Sequence, residues 1–501
     1  MDQTPKFFYN GVSPTHVLIA IFASTLLAYY FHLSWRQRIQ NAKTRNWSGP
    51  PSLPFLGCAL SFMGNSLDIF LTLSQMYKSY HGSFRLWFGP QLYCAVSHPK
   101  DIDTILNSEH ALQKADIYRI AEIALGHGLL TAPVPTWKKH RKILQPTFSH
   151  RKLCSYFRAI VEETEVLVEE MKGYAGKGEI DINNLISKWI FEISCEIVLG
   201  IKAHAYAGGS NFVRLVDRGL QILATRVFRI YLHSDFVFYK TPLGKEAILL
   251  VEEVRTFVQK IVDERKRQPT EKMDAQFVSF LDFLLADNRY TDSEMVDEML
   301  TMLIASADTT TTTSNFLFMV LGFHPDVQEK VYEEILEVIG PRRAVEMSDL
   351  PELKYIERVI NEVMRLFPVA PFLLRTAFED IDLGDKIIPK GAAIVYSFLV
   401  THRMEKYWPD PLKFDPDRFL PEEIAKRPSS AFAPFSCGPR NCLGRKFGMT
   451  YMKVLVATVL RRYRFHSYSY KRIEDIKITA NILIRAEDGF KVAFERRKAD
   501  L

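Results

Sequence analysis

One of the six cysteines in this 501-residue chain is placed for chemistry. Cys442 closes the run Phe435-Ser-Cys-Gly-Pro-Arg-Asn-Cys442, and Leu-Gly444-Arg leads on into a strongly helical stretch from Arg445 to Arg461. A cysteine in such a turn sits at a helix N-terminus, where unpaired amides and the positive helix end favour thiolate over thiol. Glycines 438 and 444 permit a backbone tight enough to point the sulfur outward. A thiolate held this way can bind a metal or attack an electrophile. On these residues alone, three other roles stay open: a buried structural cysteine, a zinc site shared with Cys437, and a nucleophile served by a distant His and Asn or Asp. The zinc option lacks a nearby second Cys/His pair and the usual zinc spacing.

Four further groups carry polar residues at telling intervals. Glu362-Val-Met-Arg365 lies between Pro351 and Pro368, and its i,i+3 spacing puts both side chains on one helix face. Pro416-Asp-Arg418-Phe419 adds a second arginine, and Trp137-Lys-Lys-His-Arg141 combines an aromatic with a cation one turn away. Taken singly, such pairs read as surface ion pairs. The fourth group, Ala305-Ser-Ala-Asp308-Thr309-Thr310, lies inside a long apolar segment.

That segment opens at Thr291-Asp-Ser-Glu294, a capping box, and runs to about Phe323, where His324-Pro325 stops it. At 1.5 Å per residue this is a helix of roughly 48 Å, long enough to cross a domain. Thr309 to Thr313 are mediocre helix formers that can hydrogen-bond to carbonyls a turn earlier and bend the helix. A hairpin is expected at Phe84 to Val96 around Gly89-Pro90, short strands within Ile381 to Ser397, and a second hairpin from Ile482 to Phe494 split by Asp488-Gly489. The body reads as one large domain, residues 59–501, mainly α with minor β.

Composition removes several classes. With 47% apolar residues, 24 Gly and 25 Pro, the chain is neither fibrous nor disordered. Six scattered cysteines exclude a disulfide scaffold. A formal charge of +6 without a dense basic block excludes a nucleic-acid binder. At the N-terminus, residues 17–35 form an apolar run of 19, within the roughly 17–25 that span a bilayer. Arg36, Arg38, Lys43 and Arg45 follow it. The positive-inside bias therefore leaves residues 1–16 in the lumen and the rest in the cytosol, a retained anchor rather than a cleaved signal. Residues 36–58, basic and then proline-rich through Gly49-Pro-Pro-Ser-Leu-Pro54, read as a stiff hinge.

Together these motifs resemble the cytochrome P450 haem-thiolate monooxygenases, with Phe435 to Gly444 matching the family's haem-binding signature at every constrained position. The resemblance covers essentially the whole chain. It implies the P450 fold, helix-rich and triangular around a buried haem b, with Cys442 as the axial ligand of the iron. It assigns Arg141, Arg375 and Arg440 to the haem propionates, with Trp137 on the same helix as Arg141. Glu362, Arg365 and Arg418 become a buried network supporting the cysteine loop. Thr309 is implied to hydrogen-bond dioxygen and Asp308 to relay protons. Ser306 departs from the family's usual glycine, which makes the groove beside dioxygen tighter or differently hydrated.

Neither a dinucleotide fingerprint nor a P-loop is present, since Gly126-His-Gly128 lacks a third glycine at the required spacing. Electrons must come from another protein, and the resemblance implies the NADPH-dependent diflavin reductase, with cytochrome b5 as a further donor, at the endoplasmic reticulum membrane. The wording of the cysteine signature and of Asp415-Pro-Asp-Arg-Phe-Leu-Pro-Glu422 is most similar to the clan of fatty-acid ω-hydroxylases, especially its insect branches. Fatty acids, hormones or terpenoids, and xenobiotics such as insecticides follow as substrate classes, with the pocket residues expected in loops 103–125 and 205–240. The rival functions are a haem-thiolate isomerase or dehydratase of peroxides, against which Asp308-Thr309 argues, and a non-enzymatic membrane haem or zinc protein. Many members of that clan esterify a haem methyl through a glutamate three residues before the aspartate. Here that position is Ala305, and Glu298 and Asp297 lie about two turns away, so the haem is expected to be held non-covalently.

Overall fold

The computed structural model describes residues 13–53, 55–206, 209–267, 278–287 and 289–497; most of the expected lumenal segment and Pro54 of the proline run lie outside the described residues. The apolar N-terminal run forms a helix, Pro14–Lys43, long and apolar enough to cross a membrane. It continues beyond the expected span into the segment read as a hinge. There Asn41 accepts from the Trp87 indole at 3.2 Å, and Lys43 pairs with Asp380 at 2.6 Å. Trp47 is buried and donates to the Ile387 carbonyl, so contacts with the body begin before the prolines.

The body is predominantly helical. Its centre is the helix Asp292–Gly322, capped as expected by reciprocal Thr291 and Glu294 bonds and unbroken through the threonine run. Nearly all of its residues from 310 to 321 are buried, because helices Asn183–Leu199, Lys354–Leu366 and Arg445–Leu460 pack around it. Asn183–Leu199 and Arg445–Leu460 are buried on more than one face, as enclosed helices are, whereas Lys354–Leu366 turns a single apolar face inward.

A four-stranded sheet lies to one side. Phe84–Phe88 pairs antiparallel with Gln91–Val96, Gly89-Pro90 forming the expected two-residue turn. Gln91–Val96 runs parallel to Ala393–Ser397, which pairs antiparallel with Phe372–Thr376. Ile381–Asp382 and Ile387–Ile388 form the short hairpin expected around Gly384-Asp385.

The second long hairpin is not where the turn residues place it. Leu483–Ala486 pairs backwards with Ile478–Asn481 around Ile482, whereas Lys491–Arg496 joins Tyr463–His466 and Ile180–Asp181 in another sheet. Asp488-Gly489 is a turn between two sheets. Gly489 is required there, with φ +80° and Asp181 Oδ2 only 2.5 Å from where a Cβ would stand. The Asp488-Gly489 signal marks a turn between strands but is silent about their partners.

Candidate functional site

The cysteine loop is folded by its own backbone. The Cys442 amide donates to the Phe435 carbonyl at 2.8 Å and the Asn441 amide to Gly438 at 3.1 Å, closing the turn before helix Arg445–Leu460. Gly438 has φ +71°, and a Cβ there would fall 2.1 Å from the Leu106 carbonyl oxygen. The expected pull toward thiolate is present: the Gly444 amide, Arg141 and Arg445 all lower the Cys442 pKa. Desolvation by the protein packed around the loop outweighs them and raises it overall, although Cys442 itself keeps an exposed face. No group of three or more His, Cys, Asp or Glu fit to hold a metal occurs among the described residues, and burial pushes Cys437 up to about 11.

Arg141 reaches the loop from helix Val134–Leu144, donating to the Asn441 carbonyl at 2.8 Å and its side-chain oxygen at 2.6 Å. Trp137, on the same helix, is buried with the Arg440 guanidinium 4.3 Å above its ring. Arg440 donates to Ala132, while its Nε and Nη1 are buried without a hydrogen-bond partner. Arg375 is buried on strand Phe372–Thr376 and donates to Leu374. Burial and the nearby Arg375 hold the Arg440 pKa down at about 9.

Beneath the loop, Glu362 and Arg365 are fully buried and joined by two bonds of 2.6 and 2.8 Å. Arg418 Nε lies 3.5 Å from the same carboxylate, and the Asp415 amide donates to it at 2.9 Å. Arg365 also donates to the carbonyls of His402 and Pro411, and the His402 ring accepts from the Ala433 amide. Two arginines and one glutamate thus tie three chain segments together just ahead of Phe435.

On the long helix, the Thr309 hydroxyl donates to the Ala305 carbonyl at 2.7 Å, and Thr312 and Thr313 bond back in the same way. Ser306 turns toward the neighbouring helix, its hydroxyl 2.8 Å from Ser194 Oγ. Asp308 is paired with Arg485 from hairpin strand Leu483–Ala486. Burial raises the Asp308 pKa and Arg485 draws it back. Asp308 Oδ2 and Thr311 Oγ1 are buried without partners, and both residues border a cavity of about 50 Å³. That is room for several waters.

A second cavity, bordered like the first by Val216 and Ile304, is about 110 Å³ and almost wholly apolar, between residues 120–125, helices Gly209–Phe228 and Pro242–Arg267, and Ile304. The expectation that loops carry these residues is corrected here. Leu215, Val216, Gly219, Leu220, Ile222, Leu223 and Arg226 face it at helical spacing from a regular helix.

The cytochrome P450 family model matches residues 48–494. The chain belongs to the cytochrome P450 family. It is therefore a haem-thiolate monooxygenase with the P450 fold. It is 32% identical to cytochrome P450 4c21 of Blattella germanica over 86% of this chain and 89% of that one. Against cytochrome P450 4g1 of Drosophila melanogaster the identity is 29%, over 97% and 95% of the two chains. It is also similar to cytochrome P450 4V2 of Mus musculus, at 29% identity over 91% and 92%. The crystal structure of the cytochrome P450DA heme domain superimposes with a TM-score of 0.77 at 22% identity, over 90% of this chain and 98% of that one, a likeness of fold.

The residues of this P450 fit a haem. Lys114 and Arg375 are buried and the half-buried Arg440 lies beside them, and burial together with repulsion from both arginines holds the Lys114 pKa well below its ordinary value. Like charges in this density call for an anion, and the two unpartnered Arg440 nitrogens are the donors a carboxylate would take. Lys114 has no motif in the sequence to announce it. Arg485 likewise sits in an ordinary strand pattern. His140 stands inside the Trp137–Arg141 run, yet its role appears only in three dimensions, where its ring binds Glu298 at 2.7 Å with both side chains fully buried. The carboxylate two turns before Ala305 is therefore committed to structure.

Proposed function

We propose that this P450 is anchored in the endoplasmic reticulum membrane by residues 17–35, with residues 1–16 lumenal and the body from residue 59 cytosolic. It takes electrons from NADPH through a separate diflavin reductase, with cytochrome b5 as a further donor. It oxidises an apolar substrate drawn from fatty acids, hormones or terpenoids, and xenobiotics. Apolar side chains that face solvent support the membrane reading. Phe55, Leu60 and Met63 are exposed on one segment and Tyr231 and Phe236 on another, and Arg229 bonds the two segments together through the Phe62 and Gly64 carbonyls.

A non-covalent haem b bound through Cys442 supplies the activation of dioxygen. Arg141, Arg375 and Arg440 hold its two carboxylates, and Trp137 braces Arg440 from below. Phe435 fixes the cysteine turn through its carbonyl, and Glu362, Arg365 and Arg418 keep that turn in register with the body. Thr309 would supply a hydroxyl to the reacting centre, and Asp308 would move protons toward it from the cavity of about 50 Å³ that it borders. Ala305 carries no carboxylate, so no ester to the haem forms.

The observation that carries this reading is the crowd of three cations, with two Arg440 nitrogens lacking partners, beside a cysteine fixed at a helix N-terminus. The ferrous-CO difference spectrum tests it. The wild-type protein gives the strongly red-shifted band of thiolate-ligated haem. Cys442→Ser removes it, because a serine hydroxyl stays protonated and is a poor donor to this iron. A wild-type spectrum without that band sinks the proposal, as does a band that survives Cys442→Ser.

A further inference from the structure

The apolar cavity has two arginines in its wall, and each is already neutralised from within the protein. Arg226 is buried, donates through Nε to the Leu232 carbonyl at 3.0 Å, pairs with Asp235, and lies 4.0 Å over the Phe238 ring. Arg255 donates to the Ala124 carbonyl at 3.0 Å and pairs with Asp297 at 2.8 Å. Asp297 is held in turn by the His127 amide at 2.9 Å, so it cannot easily leave. Arg255 also borders a groove on the outer side of its helix, which puts it where a ligand's polar end would emerge. Nothing else in the lining is cationic among the described residues. The lining runs along helix Gly209–Phe228 from Leu215 to Arg226, a length of about 16 Å. Midway, Gly219 leaves open space, with no atom within 4 Å of the place a Cβ would occupy.

We propose that this cavity takes an elongated, uncharged aliphatic molecule and discriminates against the free carboxylate of the same chain. This rests on the monooxygenase reading above and narrows its substrate classes. A carboxylate entering the cavity must give up its water, and it regains that cost only from a cation able to hydrogen-bond it. Both arginines have spent their charge on internal aspartates, so the anion would have to break a pair already made. An ester, alcohol or hydrocarbon carries no such cost. Asp235 and Asp297 are accordingly positioning residues, acting on the ligand only by occupying Arg226 and Arg255.

The test uses the full-length holoprotein and three probes of one chain length: dodecanoic acid, methyl dodecanoate and dodecan-1-ol. Binding is read from the haem spin-state shift and, independently, from ligand retained in native mass spectrometry. Wild type is expected to bind the ester and alcohol at least tenfold more tightly than the acid. Gly219→Phe, which fills the open space, should weaken the ester and alcohol by a similar factor. Asp235→Asn and Asp297→Asn should each shrink the gap between ester and acid. Asp235 is exposed, so its variant folds; asparagine at 297 keeps an acceptor for the His127 amide. Dodecanoate binding as tightly as the ester in wild type overturns the proposal, and so does a gap unmoved in both Asp variants. If no probe binds while the red-shifted CO band is intact, the cavity is not the site and the inference falls alone. Loss of that band in wild type is the separate result that removes the monooxygenase reading.

Discussion

Two glycines separate the two faces of this P450. On the cysteine side, Gly438 has φ +71° and a carbonyl oxygen 2.1 Å from its would-be Cβ; on the side of the apolar cavity, Gly219 has nothing within 4 Å. The first region is built of single contacts with no slack: a closed turn, a buried Glu–Arg–Arg network, stacked Trp137 and Arg440. The second is a wall of aliphatic side chains on helices, where many residues could serve and none is unique. The cysteine side should therefore fail abruptly under single substitutions, and the cavity side should respond gradually.

The largest effect expected within the fold comes from Glu362→Ala. It leaves Arg365 fully buried without its carboxylate, a loss on the order of 3–5 kcal/mol. Thermal unfolding of the holoprotein followed by haem absorbance should shift down sharply, with haem lost at lower temperature. Glu352→Ala, at an exposed pair with Lys354 near the start of the same helix, should shift it by less than about 0.5 kcal/mol. Equal shifts would mean that the buried network is no more than a surface pair. Gly438→Ala comes next. The left-handed backbone costs an alanine about 1–2 kcal/mol, and the Leu106 carbonyl must also move. Recovery of a normal yield of haem-loaded protein from this variant would show that the turn has slack after all.

The same contrast explains what could be read in advance. Cys442, Glu362, Arg365, Arg418, Trp137 and Arg141 lie in short runs that resemble family motifs, and it was that resemblance, not their spacing, that told them from surface ion pairs. The long helix was legible from its capping box and its Pro325 stop, because both signals are local. Lys114 and Arg485 were not legible, since each acts on partners more than 170 residues away and sits in an unremarkable stretch. The helix bearing Leu215 to Arg226 was hidden for another reason: its apolar spacing is that of any amphipathic helix and says nothing about what lies opposite. Strand partners failed likewise at Asp488-Gly489, where the turn was real and the pairing was not.

Arg485 permits a test on the boundary between the two faces. Its charge draws the Asp308 carboxyl down while burial pushes it up, with a net rise above the ordinary aspartate value. Arg485→Met removes the stabiliser of the ionised form, so the Asp308 pKa must move further up. Product formed per NADPH consumed, measured against pH, should show its carboxylate inflection displaced to higher pH in the variant. An inflection that stays in place would mean that Asp308 does not govern proton supply.

The smallest effect should have the opposite sign. Gly219 lies inside helix Gly209–Phe228, where a glycine gives up more backbone freedom on folding than any other residue. Its backbone is not in the left-handed region, and the place a side chain would take is open. Gly219→Ala should therefore stabilise the protein by about 0.4–1 kcal/mol, chiefly by restricting the unfolded chain. The same methyl group projects into the cavity, so it should slightly reduce the room for a bulky ligand while leaving the ferrous-CO band unchanged. Thermal unfolding and the CO spectrum, measured on one preparation, check both halves. A destabilised Gly219→Ala protein would show that helix Gly209–Phe228 is as tightly fitted as the cysteine turn, and the contrast between the two faces would then be lost.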